Sequence, residues 1–175
     1  MGLDPDQLLA RLQGHFPEAI IEGVVARGTE ATALVQRDQI VAVARFCRDD
    51  AELRFDHLSD VAAVDWPARP ERFDVVYHLY SIPANHRLRL KVHVPDGQPV
   101  ESVTGVWPAA DWLEREVYDL MGVQFANHPN LTRIMMWDDY PYHPLRKEFP
   151  TEGEPDTPAD YPVAFPPGSD PRLPQ

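Results

Sequence analysis

The chain has 175 residues, 43% of them hydrophobic and 25% charged, which is enough for one soluble domain with a real core and an extension. Its 16 basic and 28 acidic residues leave a formal net charge of −12, which excludes free nucleic-acid binding by phosphate neutralisation and unaided docking on an anionic lipid surface. A lone cysteine, Cys47, excludes an internal disulfide and a thiolate set for an iron–sulfur cluster.

The N-terminus MGLDPDQLLARLQGHF lacks a basic region followed by an apolar core, so it does not read as a signal peptide. Asp4 is placed to cap a short helix with Pro5 at its first position and Leu8, Leu9 and Leu12 as its apolar stripe. Strands are predicted over Ile20–Ala26 and Ala31–Gln36, with the turn Arg27-Gly28-Thr29-Glu30 between them. Helical spacing of Ile40, Val43, Ala44 and Cys47 predicts a helix over Arg37–Asp50 and makes Cys47 a small core residue. A short strand is expected at Leu53–Leu58, and Ala62–Trp66 extends the sheet. The clearest hairpin joins Phe73–Ile82 to Arg87–Val94. In its second strand Leu88, Leu90, Val92 and Val94 alternate with Arg87, Arg89, Lys91 and His93, a basic face that Asp74 can pair across the hairpin.

A third helix is predicted from near Pro108 to Met121, with Gly122 as its stop. Leu113, Val117, Leu120 and Met121 share one stripe, Glu114 and Glu116 flank it, and Arg115 points outward, where it can pair with Asp119 at i and i+4. Carboxylates at the edge of a packed face are costly to bury unless paired, and Arg133, Arg146 and Lys147 are the nearest basic candidates. After Gly122, prolines at 129, 141, 144 and 150 predict an extended or turning chain, a length of loop expected to be functional or held by a partner. Beyond Pro150 the tail is acidic and Pro-rich, with Tyr161, Val163 and Phe165 spaced as anchors for a neighbour's groove. The reading is thus an α+β protein: a mixed, mainly antiparallel sheet packed with two or three helices. Its parts are residues 1–122, an irregular segment 123–150, and an extended tail 151–175.

Chemical motifs are sparse. The seven histidines show no helical i, i+4 pair and no HExxH pattern. His128 and His143, each followed by proline (Pro129 and Pro144), read as loop anchors through ring hydrogen bonds rather than as metal ligands. Glu114 and Glu116 stand two apart and point about 200° apart on a helix, a poor geometry for an acid–base pair sharing one substrate. No GxGxxG, GxxxxGK[ST] or GxSxG motif is present.

Five segments, in order, carry a resemblance: VVYHLYS at 75–81, NHRLRLKV at 85–92, SVTGVWPAADWLEREVYDLMGV at 102–123, NHPNLTRI at 127–134 and HPLRKEFP at 143–150. Over Phe73–Pro150 the chain resembles the family of hydrophilic subunits lettered C in respiratory complex I, the proton-translocating NADH:quinone oxidoreductase. Thr132, where members commonly have a basic residue, and Tyr142, where glycine is frequent, depart from the pattern. The resemblance implies a peripheral-arm subunit with no catalytic residue and no cofactor of its own; flavin and iron–sulfur clusters are expected in partner subunits. It implies packing on the large quinone-site component of the complex, lettered D, and near the cluster-bearing B and I, at the cytoplasmic side of the inner membrane. Glu114, Arg115, Glu116 and Asp119, with Arg133, Arg146 and Lys147, are expected to tie helix and extended segment together or to the quinone-site component. For 143–150, partner contact is favoured. A related subunit of a membrane-bound hydrogenase or ferredoxin-dependent complex, and a stand-alone acid–base enzyme using Glu114 or His128, are the alternatives.

Overall fold

The computed structural model describes residues 2–26 and 30–150. The expected turn at 27–29 and the tail anchors Tyr161, Val163 and Phe165 lie outside them. Helix α1 (Pro5–His15) begins in a capping box, Asp4 accepting from the Gln7 N–H at 2.9 Å while the Gln7 side chain accepts from Asp4. Strands β1 (Ile20–Ala26) and β2 (Glu30–Val35) pair antiparallel. One 3₁₀ turn (Arg37–Gln39) then leads into α2 (Ile40–Asp49). The α-helix is therefore shorter than the expected 37–50: its first turn is 3₁₀, a common form at helix N-termini.

Strand β3 (His57–Asp65) unites the two separate pieces expected there, with a bulge between Leu58 and Asp60. Leu53–Asp56 is not strand: Arg54 takes a left-handed φ of 46°, and the Phe55 N–H donates back to the Cys47 carbonyl at 2.9 Å. Leu53 and Phe55 are both fully buried, so their apolar alternation marks a turn plugged into the core rather than a pleat. Strands β4 (Phe73–Ser81) and β5 (His86–Val94) form the expected hairpin. The five-stranded order is β1-β2-β5-β4-β3, antiparallel except for the β2–β5 seam. A second sheet, which sequence periodicity did not reveal, pairs β6 (Val100–Glu101) with β7 (Phe125–Ala126) in parallel across α3 (Ala110–Met121).

The core lies on one face of the large sheet. Ala31, Ala33 and Val35, with Leu88, Leu90, Val92 and Val94, meet Leu8, Leu12, Val43, Cys47 and Val117 from the three helices in a single cluster. The opposite face carries the basic alternation, and its charge is largely answered within the chain. Asp74, nearly buried, accepts from Arg69 (2.6 Å), His93 (2.6 Å) and the Trp66 indole (3.1 Å), with Lys91 at 3.3 Å. Helix α3 starts two residues later than expected. Pro108 sits in the preceding turn, where the Asp111 N–H donates to its carbonyl, and the Trp107 indole is pinned to the Phe55 carbonyl at 2.9 Å.

Candidate functional site

Helix α3 is buried on two sides rather than one. Its inner side meets β3; its other side is covered by the strap, residues 127–150, that follows β7. This second burial moves the charged residues from their expected places. Asp119 does not pair with Arg115 on an outer face. It is fully buried, and one carboxylate oxygen receives the backbone N–H groups of Ile134 (3.0 Å), Met135 (2.7 Å) and Met136 (2.9 Å). Its other oxygen receives Arg133, whose guanidinium also donates to the carbonyls of Asp119 (3.1 Å), Tyr140 (2.6 Å) and Tyr142 (3.2 Å). Burial alone would raise the Asp119 pKa, but the Met136 and Met135 N–H groups, Arg133 and Ile134 together hold it below the ordinary range. Arg115 instead reaches along the helix surface to the Thr132 carbonyl (3.0 Å), the Thr132 hydroxyl (2.9 Å) and the Arg133 carbonyl (3.2 Å), and lies over the Trp112 ring. Thr132 thus serves as an acceptor for Arg115, a role that a basic side chain there could not fill.

The strap also closes the C-terminal end of α3, where helix carbonyls lack intrahelical partners. The His143 ring donates to the Asp119 carbonyl (2.9 Å), the Leu145 N–H to Leu120 (3.0 Å) and Arg146 Nε to Met121 (2.8 Å). A cation at this end also meets the negative pole of the helix dipole. Gly122 makes the approach possible. Its φ is +77°, and a Cβ there would stand 2.6 Å from both Arg146 Nη2 and His143 Cδ2. Farther on, Arg146 pairs with Asp96 (3.0 Å) and stacks on Phe73. Buried Asp65 takes a bidentate pair from Arg72 (2.7 and 2.9 Å) and the Lys147 N–H (2.8 Å), and Arg72 also contacts Glu148. Arg72, first through its hydrogen bond, holds the Asp65 carboxyl low against its desolvation.

Glu114 meets none of the expected bases. It is 0% exposed; Val103 N–H donates to one oxygen at 2.8 Å and the Ser102 hydroxyl to the other at 2.6 Å. Burial pushes its pKa up to about 7, against the lowering effect of those two bonds and with a further push from Asp111. Glu116 is exposed, so the two glutamates face different media and form no acid–base pair. His128 anchors its loop as expected, one ring nitrogen 3.2 Å from the Asp111 carbonyl and the other accepting the Asn130 N–H at 3.1 Å. Pro129 is exposed, Pro144 half-buried, and Lys147 is engaged through its backbone rather than its exposed side chain. Glu114 and the His128 side chain both show no exposure, so neither offers a substrate a reactive atom. Among the described residues no group of three or more His, Cys, Asp and Glu could hold a metal ion, and no helix is long and apolar enough to cross a membrane.

The strap was expected to need outside partners for its backbone. Much of that need is met within the chain, by Asp119, Asp65, Arg115 and Arg133. Sequence reasoning missed Asp65, Arg72, Asp96, Ser102 and Asp111. Asp65 alone left a trace, a carboxylate at the position continuing the inward Val61–Ala63 alternation.

Residues 33–155 match the family described as respiratory-chain NADH dehydrogenase, 30 Kd subunit. The chain belongs to this family. The C subunit of NADH-quinone oxidoreductase from Geotalea uraniireducens is 47% identical over 149 residues, 85% of this chain and 89% of that protein. Its namesake in Geobacter sulfurreducens is 47% identical over 150 residues, 85% and 91% of the two chains. That of Hyphomonas neptunium is 45% identical over 146 residues, 83% and 72% of the two. Among solved structures, a chain of the membrane-bound sulfane sulfur reductase, an archaeal respiratory membrane complex, aligns with a TM-score of 0.71 at 27% identity, covering 83% of this chain and 85% of that one. The 30 Kd family match contains α3 and the whole strap; α1 and β1 lie ahead of it.

Proposed function

We propose that this chain is a non-catalytic peripheral subunit of NADH-quinone oxidoreductase, the membrane-associated translocase known as complex I. Its α3–strap unit serves as a docking surface for the other subunits. The observation that carries this reading is the division of labour in the strap. Its Arg133 and Arg146 side chains are spent on fixing it to α3, and the Lys147 N–H on Asp65 of β3, while Met135 (60% exposed) and Leu145 (58%) of the strap and Trp112 (63%) of α3 face outward. Large apolar side chains held at fixed positions by a rigid frame are the anchors that protein interfaces use. The surface fits the large quinone-site component of the complex, with the cluster-bearing B and I as further neighbours at the cytoplasmic side of the membrane. Flavin and clusters then belong to those partners, and this chain orders them without binding any.

The test is a double substitution, Met135→Asp with Leu145→Asp, introduced into the assembled complex. The isolated chain should melt as before, since both side chains are outside the core. Its incorporation, read on native gels and as NADH:quinone activity of membranes, should drop by about tenfold or more, the effect of losing about 1.4 kcal/mol of contact. Normal incorporation would refute the surface. The fold shared with a sulfane sulfur reductase chain at 27% identity favours one second reading, a subunit of a related respiratory complex. Co-purification with NADH-oxidising subunits, as against hydrogenase-type ones, separates the two.

A further inference from the structure

Among the described residues, Glu114 is the buried carboxylate that is not answered with arginine. Asp65 has Arg72, Asp74 has Arg69, and Asp119 has Arg133. Among the described residues, no arginine or lysine pairs with Glu114, and the groups around it come from three elements. From α3 comes Asp111, one of whose carboxylate oxygens is buried without a hydrogen bond. From β4 comes Tyr77, whose buried hydroxyl also has none and whose pKa is raised by burial first and by Glu114 second. The loop after β7 brings His128, with Nε2 at 3.9 Å from Glu114 and 3.4 Å from Asp111. The His128 Nδ1 accepts the Asn130 N–H, so the ring proton sits on Nε2, facing the Asp111 carbonyl. A carboxylate with no lysine or arginine partner among the described residues is disfavoured by its burial, which favours the neutral acid.

The site also has a way out. Ser102 Oγ lies 2.6 Å from Glu114 and 2.8 Å from Thr104 Oγ1, and Thr104 is half-exposed beside the exposed Gly105. We propose that Glu114 is a buried proton-binding site that exchanges with solvent through the hydroxyls of Ser102 and Thr104. With the acid form, Glu114 donates to Ser102, which donates to Thr104. On release the carboxyl O–H bond breaks and its proton passes to Ser102 Oγ. The proton of Ser102 passes to Thr104, and the proton of Thr104 leaves to water. One proton departs, the carboxylate remains, and no electrons move. Ser102 then donates back to Glu114 and accepts the Thr104 N–H at 3.1 Å, so both states are fully hydrogen-bonded. This site is independent of which neighbour the strap meets.

The experiment is infrared titration of the full chain with isotope-labelled glutamate, following the carbonyl stretch of a protonated carboxyl. One glutamate should keep that band above the ordinary carboxyl range and lose it on passing about pH 7. Glu114→Gln should abolish the band. Ser102→Ala, which removes a donor to the carboxylate, should move the loss to higher pH. Thr104→Val should leave the midpoint in place and slow hydrogen–deuterium exchange of the band at least tenfold. Loss of every glutamate band in the ordinary range overturns the proton site. Exchange unchanged in both Ser102→Ala and Thr104→Val overturns the relay. Should Glu114→Gln fail to fold, the labelled wild-type chain and the Thr104→Val chain still decide both points.

Discussion

Replacing Asp119 by Asn keeps the volume and removes the charge at the centre of the α3–strap joint. In the native arrangement one oxygen collects three N–H groups and the other collects Arg133. An amide can keep its single oxygen on the N–H nest, but its NH₂ then faces the Arg133 guanidinium, donor against donor. Turning the amide round sacrifices the nest instead. Removing one member of a buried ion pair costs about 3–5 kcal/mol. The lower end applies here, because Arg133 keeps three carbonyl acceptors, on Asp119, Tyr140 and Tyr142. A loss of about 3 kcal/mol is roughly a hundredfold in an opening equilibrium. The strap can open without the sheet, so the damage is local before it is global. Amide hydrogen exchange should therefore show residues 134–136 losing about two orders of magnitude in protection. The β4–β5 amides should change little. Acidification should mimic the substitution. The native Asp119 pKa is depressed, so its contribution is complete above the unfolded value of about 3.9 and disappears as pH falls through the folded value. Native protection at 134–136 in Asp119→Asn, or equal loosening throughout the sheet, would refute this account of the joint.

Two further outcomes follow from the same structure. Gly122→Ala introduces a Cβ at φ +77° and 2.6 Å from Arg146 and His143, so it adds about 1–2 kcal/mol of backbone strain to a displaced cap. The melting temperature should fall by several degrees, and Gly122→Asn, which tolerates the backbone but not the space, should also fall. Cys47 is fully buried, and burial pushes its thiol pKa far up. A maleimide should leave the native chain unlabelled over hours and label it on unfolding; rapid native labelling would contradict the core assignment.

The elements that sequence reading placed well are those whose face pattern has a single cause. The period-two alternation of 87–94 and the capping residues around Asp4 and Gly122 arise from one covered face or one chain terminus, and they came out as expected. Errors cluster where two causes overlap. Asp119 sits on the helix side opposite the core, and only the strap, whose path no periodicity encodes, buries it. The i, i+4 rule with Arg115 was sound local physics overruled by a tertiary nest of N–H groups. Leu53 and Phe55 imitate a strand because a turn inserted in the core can alternate too. Of the charged residues that the resemblance singled out, Arg115, Asp119, Arg133 and Arg146 join helix and strap, whereas Glu114 bonds elsewhere and the side chains of Glu116 and Lys147 are exposed. Partners such as Ser102 and Asp65 lie 12 and 82 residues from the groups they bond.

The parallel seam between β2 and β5 carries a consequence for how the chain assembles. It consists of four residue pairs, Ala31–Leu34 with Leu88–Lys91, and it joins two pieces that are each locally connected. One is the β1–β2 hairpin with α1 lying on it; the other is the β3–β4–β5 meander with α3 and its strap. The β1–β2 and β4–β5 hairpins close short loops, whereas the seam brings together positions some 57 residues apart. Pairing this seam is therefore expected to be a slow step of folding, because its loop-closure entropy is spent before its contacts form.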